Sequence, residues 1–281
     1  MRAITLLFHD VVPDFRWELS GFPGADADVY KMDCAEFRRH LAAIAARLHH
    51  PPATASELLN GAATGDRPVL LTFDDGGVSA ALFIAGMLDE FGWKAHFLVT
   101  AGRIGTAGFL DRPQIQDLRR RGHVIGSHSY THPTRMARCT SAQLDDEWRR
   151  SVAALSDILG EGVDVASVPG GYYSRPVARA AARAGIRLLF NSEPVTRLQT
   201  VDGCLVAGRF TAMRGQAPQR SAAIVAGDAP LLAREYLFWN AKKLAKLLLG
   251  GVWLRARVVL LERSARKSSP SAADSHDGLA R

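Results

Sequence analysis

Short apolar runs of strand length alternate along the chain with longer stretches of helical period. Ile4–Phe8 is the first such run. A loop rich in Gly, Pro and Asp follows. Asp33 then stands where it can cap a helix whose apolar positions include Phe37, Leu41, Ile44 and Leu48. Val69–Phe73 predicts a second strand and Ala80–Phe91 a helix. Ala95–Val99 predicts a third strand, and Pro113–Arg121 a helix closed by Gly122. Val124–Ser127, Val163–Val168 and Ile186–Phe190 predict three more strands. Between them lie helical patterns at Ser141–Leu159, with Ser141 as the expected cap, and at Arg175–Ala184 before Gly185. A last strand is expected near Cys204–Phe210.

Repeated β–α alternation predicts parallel strands covered by helices, an α/β architecture. Such folds gather their ligand groups at the C-terminal ends of the strands. Polar clusters fall at those ends here: His9-Asp10, Asp74-Asp75, His128 with His132, and Pro169-Gly170-Gly171. Their coincidence predicts one shared site. No internal repeat is evident.

Apolar residues make up 47% of the chain and charged residues 22%, which predicts a sizeable core and excludes a globally disordered chain. The formal net charge is +7, but it is unevenly placed. Residues 234–267 hold nine Lys or Arg against two Glu, so the chain before them is near balance. The same stretch carries Leu237, Trp239, Leu247 and Trp253 among Lys242, Lys243 and Lys246. That pattern predicts a basic amphipathic helix. It either lies on a membrane surface or packs on the domain with a solvated basic face. Expected boundaries are a catalytic domain at 1–233, the basic helix at 234–263 and a disordered Ser/Ala-rich end at 264–281. No groove-reading or base-stacking motif points to nucleic acid. The three cysteines, Cys34, Cys139 and Cys204, are widely spaced and odd in number, as in a reducing compartment. With no signal-peptide pattern and no apolar run of membrane-spanning length, the expected location is cytoplasmic, peripheral on the inner face of the membrane if the helix binds it.

The strongest local chemistry is Leu71-Thr72-Phe73-Asp74-Asp75-Gly76. An apolar strand running into Asp-Gly is an ordinary turn signal. It also lets one carboxylate bind a metal while its neighbour takes a proton from water. The second is His128-Ser129-Tyr130-Thr131-His132-Pro133. Histidines four apart converge on one metal if the segment makes a helical turn, and Pro133, which disfavours that conformation at His132, places the turn in a loop or at a helix edge. Asp, His and His with open positions would suit a catalytic metal.

Thr72–Gly76 and His128-Ser129-x-x-His132 together resemble the polysaccharide deacetylase family, which includes chitin, peptidoglycan and nodulation-factor deacetylases. The resemblance runs from about Ile4 to Phe190. It implies a distorted (β/α) barrel with fewer than eight full units. It also implies removal of an N-acyl group, typically acetyl, from an amino sugar. Asp74 would be the general base, and Asp75, His128 and His132 the ligands of a divalent metal, usually zinc. With the expected location, the substrate would be a polysaccharide or its nucleotide- or lipid-linked precursor. Rival readings are a deformylase or other amidase on the same scaffold, and a metal-holding carbohydrate-binding protein without turnover.

The chain departs from the family pattern twice. Ser167-Val168-Pro169-Gly170-Gly171-Tyr172 keeps the Pro and Gly of the third motif, but Ser167 stands where an arginine orients the base. Pro169, Gly171 and Tyr172 are candidates for the substrate wall. The family's late histidine, its general acid, is also missing: none lies between His132 and His276. His9, ending the first strand, is the candidate substitute. Arg209, ending the last, is a candidate oxyanion partner, because a guanidinium is a poor proton donor.

Overall fold

The computed structural model describes residues 1–244. The predicted tail positions beyond them, Lys246, Leu247 and Trp253 among them, lie outside the described residues. In chain order the elements are β1 (Ile4–Phe8), β2 (Val11–Val12), α1 (Ala25–Asp28), β3 (Met32–Asp33), α2 (Cys34–Ala45) and α3 (Ala55–Leu59). Next come β4 (Val69–Phe73), α4 (Ala85–Asp89), β5 (His96–Val99), α5 (Arg112–Arg120), β6 (Val124–Ser127) and α6 (Ser141–Leu159). The described chain ends with β7 (Val165–Ser167), α7 (Arg175–Arg183), β8 (Leu188–Phe190), β9 (Gln199–Val201), β10 (Cys204–Ala207), β11 (Phe210–Thr211), α8 (Pro218–Val225) and α9 (229–244).

Nine strands form one sheet in the order β11-β1-β4-β5-β6-β7-β8-β10-β9. All neighbours are parallel except the β9–β10 pair. The last strand expected from the sequence is two strands. β10 pairs with β8 and β11 with β1, so Gly208 and Arg209 between them carry the chain from one side of the curled sheet to the other. Only glycine fits at the first position, where a Cβ would lie 2.2 Å from the Glu193 carbonyl oxygen. The result is a distorted (β/α) barrel with fewer than eight full units.

Strand side chains alternate between two faces. Ile4, Leu6, Phe8, Leu71, Phe73 and Phe97 pack outward on α2, α4, α5 and α8. Phe73 stacks on Phe8 and Phe97 at 5.4 and 5.2 Å. The inward set, with Leu70, Leu98, Val165, Leu188, Phe190 and Ala207, packs on Ala55 and Leu58 of α3. His96 fixes that helix: its Nε2 accepts from the Ala55 amide at 2.8 Å, and its Nδ1 donates to the Leu71 carbonyl at 2.8 Å.

Local chemistry sets the boundaries. Asp33 caps α2 by accepting from the Ala35 amide. Thr140, not Ser141, caps α6, because Thr140 and Gln143 form a reciprocal capping box. The helix expected at Ala80–Phe91 opens with a π-turn at Ala80–Ile84 and its α part stops at Asp89.

Candidate active site

Asp74 continues the inward row Leu70, Thr72 past the end of β4 and is buried. Its amide donates to the Phe8 carbonyl at 3.1 Å, which fixes its height in the barrel. Asp75 turns the chain with φ 78°. Gly76 follows at φ 79°, where a Cβ would meet Val99 Cγ1 at 2.9 Å, so the Asp-Asp-Gly order suits a turn pressed against β5.

His128 extends the inward row of β6 beside Asp75. Its Nε2 lies 3.4 Å from Asp75 Oδ1, and His132 Nε2 lies 3.5 Å from the same oxygen. The three ligand atoms fall within 4.8 Å of one another. The His128–His132 segment is a loop, one of the two placements that Pro133 implied. Ser129 and His132 have φ of 64° and 60°. Glu147 of α6 holds the loop by accepting from the Tyr130 and Thr131 amides at 2.9 and 2.8 Å and from the Thr131 hydroxyl. His132 thus reaches Asp75 by a left-handed turn tied to a carboxylate, which helical spacing does not reveal.

The third-motif departure has a structural answer. Arg209 is fully buried and grips Asp74 with both ends of its guanidinium: Nη1 to Oδ1 at 2.7 Å and Nη2 to Oδ2 at 2.8 Å. Its Nε donates to the Asn191 carbonyl at 2.9 Å. The seam between β10 and β11 therefore supplies the arginine missing at position 167. Four of the five N–H donors of Arg209 go to Asp74, Thr72 and Asn191, an arrangement that positions Asp74.

Ser167 bridges the two halves of the site. Its hydroxyl donates to Asp74 Oδ1 at 2.9 Å, leaving its oxygen to accept from His128 Nδ1 at 2.6 Å. With Nδ1 so engaged, His128 presents the Nε2 lone pair toward Asp75 and His132. This outer hydrogen bond is what orients a metal-ligating histidine. Burial opposes the charge on Asp75, but the adjacent His128 and His132 rings hold its carboxyl well below the usual range. One ionised oxygen and two oriented ring nitrogens suit a divalent cation, so the residues fit the metal that the resemblance implied.

Burial likewise opposes charge on Asp74. The Arg209 guanidinium and then His128 outweigh it and keep the carboxyl below its ordinary value. Oδ1 accepts from two donors and Oδ2 from one, so Oδ2 is the oxygen with capacity for a new proton.

These groups open into a cavity of about 670 Å³. His9 is on its wall, with its ring 4.8 Å from Tyr30 and its Nδ1 without a protein partner. Burial lowers its pKa despite the nearby Asp75 and Asp74 charges. Gly171 and Tyr172 line the cavity, whereas Pro169 is buried behind them. Asp10 also lines it. Its Oδ1 accepts from Ser20 and Ser79 hydroxyls at 2.6 and 2.7 Å, and burial pushes its carboxyl up to about 6. Sequence reasoning missed Glu147, Ser167's bridging role and the cavity-lining face of α9. Glu147 carried a signal, a carboxylate three residues from Leu144 and next to Trp148 on the buried face of α6.

Residues 61–189 match the sequence profile of the polysaccharide deacetylase family. Two Bacillus subtilis proteins named for that family, YxkH and YheN, are 26% identical over 129 residues and 28% identical over 117. These matches take in 46% and 42% of this chain but only 46% and 39% of the relatives, so the chain spans under half of their length. Among solved structures, the Streptococcus pyogenes deacetylase PplD in complex with acetate superposes with a TM-score of 0.64. It is 18% identical, over 78% of this chain and 96% of that one. IcaB from Ammonifex degensii gives 0.65 at 21% identity, over 80% and 97%. At these identities the superpositions speak for the fold alone. Over residues 61–189, under half of its length, the chain is similar to the polysaccharide deacetylase family.

Proposed function

We propose that this domain hydrolyses the N-acetyl amide of an amino sugar in a polysaccharide or its precursor, using a divalent ion that we take to be zinc. The observation that carries the reading is the placement of Asp74. It is ionised, clamped by Arg209 and Ser167, and faces the cavity beside the Asp75–His128–His132 cluster. Held by those three side chains, the ion would polarise the amide carbonyl and acidify water.

The protein's own groups supply the rest. Arg209 and Ser167 fix the rotamer of Asp74 and leave Oδ2 to take a proton from the attacking water. His9 is held toward its neutral form by burial, so it does not store the proton that the departing amine needs. That proton is returned by Asp74 Oδ2, one carboxyl serving first as base and then as acid. His9 lines the cavity and can hydrogen-bond the amine as it leaves. Gly171 and Tyr172 form part of the sugar-facing wall. The three free cysteines agree with a reducing, cytoplasmic-side location.

The test is acetate and formate release from a panel of amino-sugar conjugates, with zinc and after chelation. Zinc-dependent acetate release is expected. Formate release alone would assign a deformylase. Zinc binding with neither product would leave a carbohydrate-binding protein.

A further inference from the structure

Helix α9 has two unlike faces. One carries Glu235, Phe238, Trp239, Lys242 and Lys243, all of which line the active-site cavity. The opposite face carries Ala233, Leu237, Ala241 and Leu244, spaced three or four apart and therefore in one stripe. All four are exposed, Leu237 at 67% and Leu244 at 57%, with exposed Tyr236 beside them. Among the described residues nothing covers this stripe.

Cations flank it. Arg234 is on the same helix, and Lys242 and Lys243 lean over the Phe238 and Trp239 rings at 4.1 and 4.9 Å. Lys243 also approaches Glu193 at 3.8 Å. The excess of nine Lys or Arg over two Glu across residues 234–267 accounts for the whole chain's charge of +7. A second exposed aromatic, Phe15, packs on Trp17, which the Arg214 guanidinium covers at 4.5 Å, and the adjacent Met213 lines the cavity. Exposed apolar residues with neighbouring cations thus occur both on α9 and at Phe15. A helix with an apolar stripe and basic side chains on its other faces matches the boundary between acyl chains and anionic headgroups. The described residues contain no helix long and apolar enough to cross a membrane, so this contact would lie in the surface plane.

We infer that α9 docks the cavity mouth on an anionic lipid bilayer, and that the substrate is an amino sugar carried on a membrane lipid. The docking stands on the helix alone; the substrate class rests also on the deacetylase reading. With one face of α9 in the headgroup layer and the other lining the cavity, a sugar can enter while its lipid stays in the bilayer.

The experiment uses the full chain, sedimented with phosphatidylglycerol–phosphatidylcholine vesicles or with pure phosphatidylcholine vesicles. Binding to the anionic vesicles is expected to be about tenfold stronger and to fade at high salt. Leu237→Glu with Leu244→Glu should cut it about tenfold. Both residues are exposed and off the cavity wall, so circular dichroism and acetate release from a soluble N-acetylated oligosaccharide should be unchanged. Release from a polyprenyl-linked N-acetylamino sugar in anionic vesicles should fall with binding. Equal sedimentation with both vesicle types, wild-type sedimentation of the double variant, or a dimer that the variant dissolves would overturn the docking. Hydrolysis of the soluble oligosaccharide but not the lipid-linked sugar would overturn the substrate class. Vesicle binding without hydrolysis of any substrate would refute the deacetylase reading and leave the docking standing.

Discussion

Asp74 and Arg209 are oppositely charged, almost wholly buried and joined by two hydrogen bonds. Removing one member of such a pair leaves the other's charge without compensation, typically costing about 3–5 kcal/mol. This changes how the base should be tested. Asp74→Asn is expected to lose about 10²–10⁴-fold in acetate release and also to unfold at lower denaturant concentration. Asp74→Asn with Arg209→Met should recover much of the stability, because no isolated charge remains, yet stay inactive. Denaturant titration beside acetate release separates the two effects. A single variant as stable as wild type would show that the buried pair contributes nothing, and a double variant with activity would remove Asp74 from the chemistry. The Asp-Asp-Gly and His-Ser-x-x-His residues were legible because adjacent chain positions carry them. The clamp on Asp74 was not. Arg209 lies 135 residues from its partner, outside the family match, and no local pattern links the two.

The loop between β6 and α6 shows how one element sets another's chemistry. Glu147 is in the second turn of α6, and its carboxylate holds the amides of Tyr130 and Thr131 between the two histidine ligands. Glu147→Ala should therefore weaken metal binding by about 10–100-fold, the usual range for losing a group that supports a ligand. His128→Ala should lose the metal outright. Zinc titration of the three proteins against a competing chelator reads both. Unchanged affinity in Glu147→Ala would mean the loop holds its shape without the carboxylate. Strands β1 and β4 to β8 followed from short continuous apolar runs, because each parallel strand is buried on both faces, and α2 and α4 to α7 from the helical patterns between them, whereas the short α1 and α3 did not. The seam at Gly208 and Arg209 did not, since a two-residue break between β10 and β11 leaves the apolar run nearly continuous. The small β2–β3 pair was also invisible, because two-residue strands carry no period.

The barrel as a whole buries titratable groups that respond to acid in opposite directions. His96 accepts a backbone amide inside the barrel, and desolvation lowers its pKa from 6.5 to about 4. The unfolded chain takes up that proton near 6.5. The contribution of neutral His96 is therefore complete above 6.5 and lost as pH falls toward 4. At about 1.4 kcal/mol per pKa unit, the loss is of order 3 kcal/mol. His123, also lowered to about 4 mainly by burial, acts in the same sense. Asp10 opposes them. Burial raises it from 3.8 to about 6, so the folded state gains relative to the unfolded one as pH drops through that window. Two histidines against one carboxyl leave a net loss, and stability of the chelated protein should decline from pH 6.5 to pH 4. Chelation matters because metal release would otherwise add its own acid dependence. His96→Asn should flatten the decline, since the group that protonates is gone. Asp10→Asn should raise stability at pH 8, where the wild type buries a charged carboxylate, and the advantage should shrink toward pH 4. Denaturant midpoints for the three proteins across pH 4–8 measure all of this. A wild-type midpoint that does not fall with acid, or an Asp10→Asn advantage that grows at low pH, would contradict the assignment of these buried groups.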